Sequence, residues 1–515
     1  MKAFSKILYL SLLLTISIYL SGYSSVADNE LSRMILAGKR AIYNFDLDSA
    51  LTVFRDIQKK YPDLPQGYFY EAYLTTVYFS QDKSNNRIDS SLHVTVDKSI
   101  KLSEAYRKEV GDTPEAMYYL GVSHGLMGIY HAINKNYFNG YIHGRKGKNY
   151  LQDAVKLDST YYDAYLGLGI FHYYVDLLPG IIKFFAKILG FEGNREKGIH
   201  EILLTAHKGR YFRVEAEFAY AGIRYFLEGE QAEGFAIFRK LKHEFPHNPA
   251  VTLLIGYHYR RNGQVKTAIT YLSQVPDLYS ETLPQITVMK YYNLGVCYFR
   301  LNDFDQAEPY FNKLLDSNLR KTRFYQAALA YYEGLLGAIN GDQKIAKYYL
   351  QMIYDNKDME YWYNCSRMFV DHPIDSVAIQ YVQAENDIFT ANFDPAQREV
   401  TKLLALLKKK PDSIENKDLV YLIFDLDARL NFRQGKVEQA KEVYDKFSHQ
   451  MPDIKDEFQR AWVYIGYARV LREVKQLQKS VELLSKAGEV NDEYTRLIVE
   501  RELYIIKHLK RQGKA

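Results

Sequence analysis

His243-Glu244-Phe245-Pro246-His247 spells H-E-x-x-H, the pattern that in zinc proteases sets two imidazoles one helical turn apart with a general-base carboxylate beside them. Pro246 removes a hydrogen bond that such a helix needs, and Pro249 follows, so the segment reads as a helix stop. Gly144-Arg145-Lys146-Gly147-Lys148 imitates a phosphate loop, but Ile142 stands where an upstream glycine belongs and Asn149 where Ser or Thr would hold magnesium. His124, His131, His143, His172, His200 and His207 gather in one stretch, where paired core histidines are the plain reading and a metal or ligand site the sharper one. Cys297 and Cys365 read as two small buried hydrophobes rather than a disulfide. With no G-x-S-x-G, C-x-x-C or dinucleotide fingerprint, the residues predict no catalytic group, metal or cofactor. A metal-dependent enzyme using the histidine-rich region is kept as a second alternative.

The elements that would position a site follow a leader. Lys2 and Lys6, an apolar stretch from Ile7 to Leu20 and the small residues Ser25-Val26-Ala27 predict a signal peptide over 1–27, cleaved after Ala27. That stretch is shorter than the roughly 18–20 residues needed to span a bilayer. Leu20-Ser21-Gly22-Tyr23 has tyrosine where a lipoprotein box has its cysteine, so nothing is available to lipidate. The expected location is exported, periplasmic or outer-envelope associated. With 515 residues, 47% hydrophobic and 25% charged, the chain is folded and too long for one ordinary core. A net charge of +5, from 67 basic and 62 acidic residues, is no nucleic-acid footprint. The 47 tyrosines are the one surplus.

A repeat explains that surplus. Tyr291, Leu294, Gly295, Tyr298, Ala307, Phe311 and Leu314 fall at positions 4, 7, 8, 11, 20, 24 and 27 of a two-helix unit. Small residues at 8 and 20 let the helices approach, and large ones at 4, 7, 11 and 24 fill the space between them. The spacing returns at Phe218, Ala221, Gly222, Tyr225, Gly234, Phe238 and Leu241, at Ile255 through Leu272, and near the N-terminus at Gly38, Ala50, Phe54 and Ile57. Weaker copies follow at Gly334, Ala384, Ala428 and Ala468. Asn262-Gly263, Asn302-Asp303, Asn340-Gly341 and Gln434-Gly435 supply the turn between the two helices. The chain resembles the tetratricopeptide repeat (TPR) family over nearly all its length after the leader.

The resemblance implies an all-α, TPR-type α-solenoid, a right-handed superhelix of about eleven helix pairs with two insertions. The expected organisation is an N-terminal TPR-like region over 28–206, with insertions near 130–146 and 177–194. A regular array over 207–355 and a divergent C-terminal region with a capping helix over 356–515 follow. In the first inserted unit the second helix comes late, with Gly147 where residue 133 is expected. The second insert, 177–191, is the least polar stretch after the leader and is expected to fold back on the solenoid. Segment 177–206 is similar to the eukaryotic family of tetratricopeptide repeat protein 39 and the inclusion body clearance protein, which implies a shared repeat subtype rather than a function.

A TPR stack offers its concave face, built from positions 2, 5, 9, 12 and 13 of each first helix. Across the strong central units this selects a partner-binding groove of Phe226, Tyr257, Arg260, Arg261, Tyr292, Phe299, Arg300 and Tyr331. The positions do not reproduce the family's Lys/Asn/Lys/Arg clamp for a terminal carboxylate. The surface fits a protein or peptide segment with apolar anchors and some acidic residues. The reading is a non-catalytic exported scaffold for protein–protein interaction; the first alternative is a membrane- or lipid-associated envelope adaptor with peripheral membrane contact through 177–191. N-terminal sequencing of the exported protein is expected to return Asp28 as the first residue; a chain beginning at Met1 contradicts the cleavage.

Overall fold

The computed structural model describes residues 30–81, 86–178, 192–277, 283–315, 321–354, 360–370, 372, 374–409 and 414–511. The leader with its cleavage site and most of the apolar insert 177–191 lie outside them. Among the described residues every regular element is helical. Helices α1 (Glu30–Tyr43) and α2 (Leu47–Lys60) form the first pair. Then come α3 (Gln66–Gln81) with α4 (Asn86–Val110), α5 (Pro114–Ile133) with α6 (Tyr137–Leu157), α7 (Ala164–Asp176) with α8 (Arg195–Lys208), and α9 (Arg213–Gly222) with α10 (Gln231–Glu244). The chain continues through α11 (Pro249–Arg261), α12 (Val265–Leu272), α13 (Pro284–Arg300), α14 (Phe304–Leu315), α15 (Arg323–Ile339), α16 (Gln343–Tyr354) and α17 (Glu360–Val370). It ends with α18 (Ser376–Phe389), α19 (Phe393–Lys409), α20 (Lys417–Arg433), α21 (Val437–Phe447), α22 (Glu457–Glu473), α23 (Leu477–Ala487) and α24 (Glu493–Arg511). The helices group into two compact units, Met1–Ile255 with Gln274–Ile286 and Gly256–Ser273 with Thr287–Ala515.

Four pairs are closed by the contact the repeat predicts, whereas at Gly222 of the α9–α10 pair a Cβ would meet nothing within 4 Å. The glycine at position 8 lies under the large side chain at position 24: Gly38 under Phe54, Gly256 under Leu272, Gly295 under Phe311 and Gly334 under Leu350. A Cβ on Gly295 would stand 2.5 Å from the Phe311 ring, so the helix spacing at that point depends on having no side chain. Ala50, Ala307, Ala346, Ala396 and Ala440 at position 20 are buried beside it.

The turn between paired helices repeats to the residue. Phe45, Gly229, Gly263, Asn302, Gly341, Ala391, Gly435 and Lys475 all occupy position 15, and all have positive φ. One left-handed residue reverses the chain in each of these units, which is why Gly and Asn recur there. Lys135 has φ 59° as well, seven residues later than position 15 of its unit. The first insertion is therefore no loop: it lengthens α5 and α6 by about two turns apiece and preserves the faces that pack. Gly128 and Gly144, both in the lengthened part, bring the two backbones into contact.

Phe45, Ala391 and Lys475 carry the left-handed conformation with a Cβ, at a cost that glycine avoids. Replacing the exposed Lys475 with Gly is expected to stabilise its unit by about 0.5–1 kcal/mol in urea unfolding. A loss of stability would show that the turn is not left-handed.

Candidate functional site

Position 9 of a first helix lies one residue beyond the closing glycine or alanine, and the charged side chains placed there meet partners in other helix pairs. In the first unit this residue is Lys39 of α1. Its ammonium pairs with Glu215 of α9 and lies 3.6 Å from the centre of the Phe212 ring. The Glu215 carboxylate also accepts hydrogen bonds from Tyr43 and from Tyr73, the latter at 3.2 Å. Burial pushes Lys39 down and Glu215 up, each opposed by the other's charge. Beside them Asp163 accepts the backbone N–H groups of Arg210, Tyr211 and Phe212 at 2.9–3.2 Å. With Lys39 1% and Glu215 3% exposed, the pair fills the interior of its unit and offers no surface to a ligand. Breaking such a buried pair from one side costs about 3–5 kcal/mol.

The second unit carries charged side chains at position 9, Glu385 and Arg429, and at position 13, Arg300. Arg300 of α13 reaches Asn386 at 2.9 Å and Glu385 at 3.5 Å on α18. Arg429 of α20 bonds Glu385 at 3.2 Å and Asp425 at 2.8 Å, and the Tyr444 hydroxyl donates to Asp425 at 2.7 Å. Burial resists charge on Glu385, yet Arg429 and Arg300 outweigh it and hold the carboxyl below its usual range. Arg300, Glu385 and Arg429 nevertheless keep 27–33% of their side-chain surface accessible. The three form a partly accessible charged wall. Arg260 of α11 extends the wall, bonded to Asn293 at 2.7 Å and lying over the rings of Tyr257 and Tyr292. Tyr331 of α15 borders it and packs against Trp362.

The eight residues selected from the sequence are divided between the two units. Phe226 belongs to the first unit, in a π-helical turn over Ile223–Leu227, and packs edge-on against Tyr225. The other seven belong to the second. Of these, Tyr292 and Phe299 are 5% and 2% exposed, covered by Tyr325 and Tyr332 of the next pair, and so serve as core rather than contact residues. Tyr257, Arg260, Arg261, Arg300 and Tyr331 remain partly accessible. The sequence reading passed over Glu385, Arg429 and Arg469. All three follow the alanine at position 8, Ala384, Ala428 and Ala468, so the signal lay in the weaker units.

Four of the gathered histidines, His124, His131, His143 and His172, contact other side chains, while His200 and His207 are exposed on α8. His172 Nδ1 meets Glu201 at 2.6 Å, and His124 Nδ1 faces His143 Nδ1 at 3.0 Å across the lengthened α5–α6 pair. Among the described residues no group of three or more His, Cys, Asp or Glu side chains is arranged to hold a metal ion. Helix α10 ends at Glu244, so His243 and His247 share no helical face, and Glu244 pairs with Arg213. Gly144–Lys148 lies inside α6 and is no loop. Burial, then His143 and Lys146, push His124 down to about 4 from an ordinary 6.5. Between those values the unfolded chain binds the proton and the folded chain does not. The stability from this group is thus complete above pH 6.5 and lost as pH falls through about 4. Amide exchange in α5 and α6 should accelerate across that range, and His124→Gln should flatten the dependence; an unchanged profile in the variant contradicts this assignment.

The profile of the family described as Iml2/Tetratricopeptide repeat protein 39 matches residues 130–344, well beyond segment 177–206. No curated protein matches the chain. Among solved structures it is similar to a tetratricopeptide repeat protein from Parabacteroides merdae, at 15% identity over 59% of this chain and 98% of that one, with a TM-score of 0.23. It is also similar to human IFIT1, solved as a dimer with PPP-AAAA, at 13% identity over 78% and 94% with a TM-score of 0.35. Yeast Tom70 gives 12% identity over 95% and 90% with a TM-score of 0.28. At such scores no ligand carries over from these neighbours. The repeated frame and the helix pairs give the chain an all-α helical repeat fold of tetratricopeptide type, within which residues 130–344 match the Iml2/Tetratricopeptide repeat protein 39 family model.

Proposed function

We propose that the protein is a non-catalytic scaffold that holds a segment of a partner protein against the inward-facing helices of its second unit. One observation carries the reading: Arg300, Glu385 and Arg429 form a charged wall that is desolvated yet accessible, with Tyr257 and Tyr331 as aromatic neighbours. Arginine and tyrosine are the side chains that contribute most when an interface closes over them. Export to the periplasm or outer envelope belongs to the same proposal and rests on Lys2, Lys6, the apolar stretch and Ser25-Val26-Ala27.

The partner is to be identified by co-purification from the native envelope and mass spectrometry, and its affinity measured against variants of the full chain. Arg300→Ala and Tyr331→Ala should each weaken binding at least tenfold, about 1.4 kcal/mol, while Tyr348→Ala on α16, 66% exposed, leaves it unchanged. Loss of binding in Tyr348→Ala with the two inward variants unaffected overturns the proposal.

A further inference from the structure

Asn302 does more than turn the chain. Glycine at position 15 gives the left-handed conformation without a Cβ, as Gly263, Gly341 and Gly435 do in other units. The asparagine adds an amide, which donates to the Gln383 carbonyl of α18 at 3.1 Å. Asn386 of the same helix answers it, donating to Asn302 Oδ1 at 2.8 Å and to the Phe299 carbonyl of α13 at 2.9 Å. The Asn386 oxygen in turn accepts from Arg300 at 2.9 Å, and the Arg300 guanidinium lies 4.9 Å from the centre of the Phe389 ring. Two amides thus clasp the end of α13 to α18, although α14 to α17 separate these helices in the chain.

A second contact lies on the same edge. A side chain at Gly263 would strike the Phe389 carbonyl, which also accepts from Arg433 of α20 at 3.2 Å. The seam therefore joins the turns that follow α11 and α13 to α18 and α20. Asn386 is fully buried, so no chain passes between α13 and α18 at this point while the clasp is made. Its neighbour Glu385 and its donor Arg300 are two of the three residues of the charged wall, which lies directly beside the seam. Water can replace each of these hydrogen bonds once the edge parts, so the seam opens at a smaller cost than the interleaved side chains of a helix pair.

We propose that the Asn302–Asn386 clasp is a latch: the second unit parts along this edge, and the parted form admits a continuous partner segment to Arg300, Glu385 and Arg429. The inference rests on the reading that this unit binds protein, and adds how the segment enters. While the latch is closed, Arg300 is held by Asn386; opening releases it to the partner. The rate of association then follows the fraction of molecules that are open.

Two variants of the full chain separate the clasp from the turn. Asn302→Gly keeps the left-handed residue and deletes the amide, whereas Lys475→Gly makes the same kind of change in a turn with no part in the seam. Cys365 of α17 is the reporter: it is half-buried among the charges of Glu385 and Arg300, while Cys297 is fully buried and silent. Labelling of the native protein by a bulky maleimide should be at least tenfold faster in Asn302→Gly than in the wild type, and unchanged in Lys475→Gly. Asn386→Ala, which removes the other amide, should behave as Asn302→Gly does. The co-purified partner should associate at least tenfold faster with Asn302→Gly. Equal labelling of Asn302→Gly and the wild type, or faster labelling with no gain in association rate, overturns the latch. If Tyr331→Ala weakens the partner while Asn302→Gly changes neither rate, the latch fails and the scaffold stands. If Tyr331→Ala also leaves the partner's affinity unchanged, both fail.

Discussion

The closing contact that recurs between paired helices, a small residue at position 8 beneath the large residue at position 24, is the constraint on which the remaining structure depends. It fixes the distance between paired helices and their rotation. Position 9 then points away from the partner helix toward residues of other helix pairs. Lys39 finds Glu215 in this way, and Arg429 finds Glu385. A single left-handed residue at position 15 keeps the relation constant from pair to pair. The lengthened α5–α6 pair preserves it too, because seven residues added to each helix are close to two whole turns.

The two units put the same inward positions to opposite uses. In the first, one lysine and one glutamate are surrounded by Tyr43, Tyr73 and Phe212 and withdrawn from water, an arrangement that specifies how α1 meets α9. In the second, Arg300 and Arg429 share Glu385, and part of each of these side chains stays accessible. A closed interior offers nothing to a ligand, whereas an accessible charged cluster can. That difference, more than the repeat itself, separates support from contact surface.

Much of the fold was legible because the repeat restricts residue types at a few positions. Gly295, Ala307 and Phe311 announce their contact by size alone, and Pro246 correctly marks the end of α10. Turns were legible where Gly263, Gly341 or Asn302 supplied the left-handed residue, and silent at Phe45, Ala391 and Lys475, where packing imposes the same conformation on other side chains. The site was harder to read. Spacing identifies an inward position but not how tightly the helices curve, so Tyr292 and Phe299 were selected although the next pair buries them. Lys39 and Glu215 are 176 residues apart, and nothing local to either indicates the other.

The central claim, that a partner is held by the inward face of the second unit, is tested most directly by photocrosslinking. Benzoylphenylalanine placed at Tyr331 should capture the partner, and the same group at the exposed Tyr348 should not. Crosslinking at position 348 with none at 331 would contradict the account.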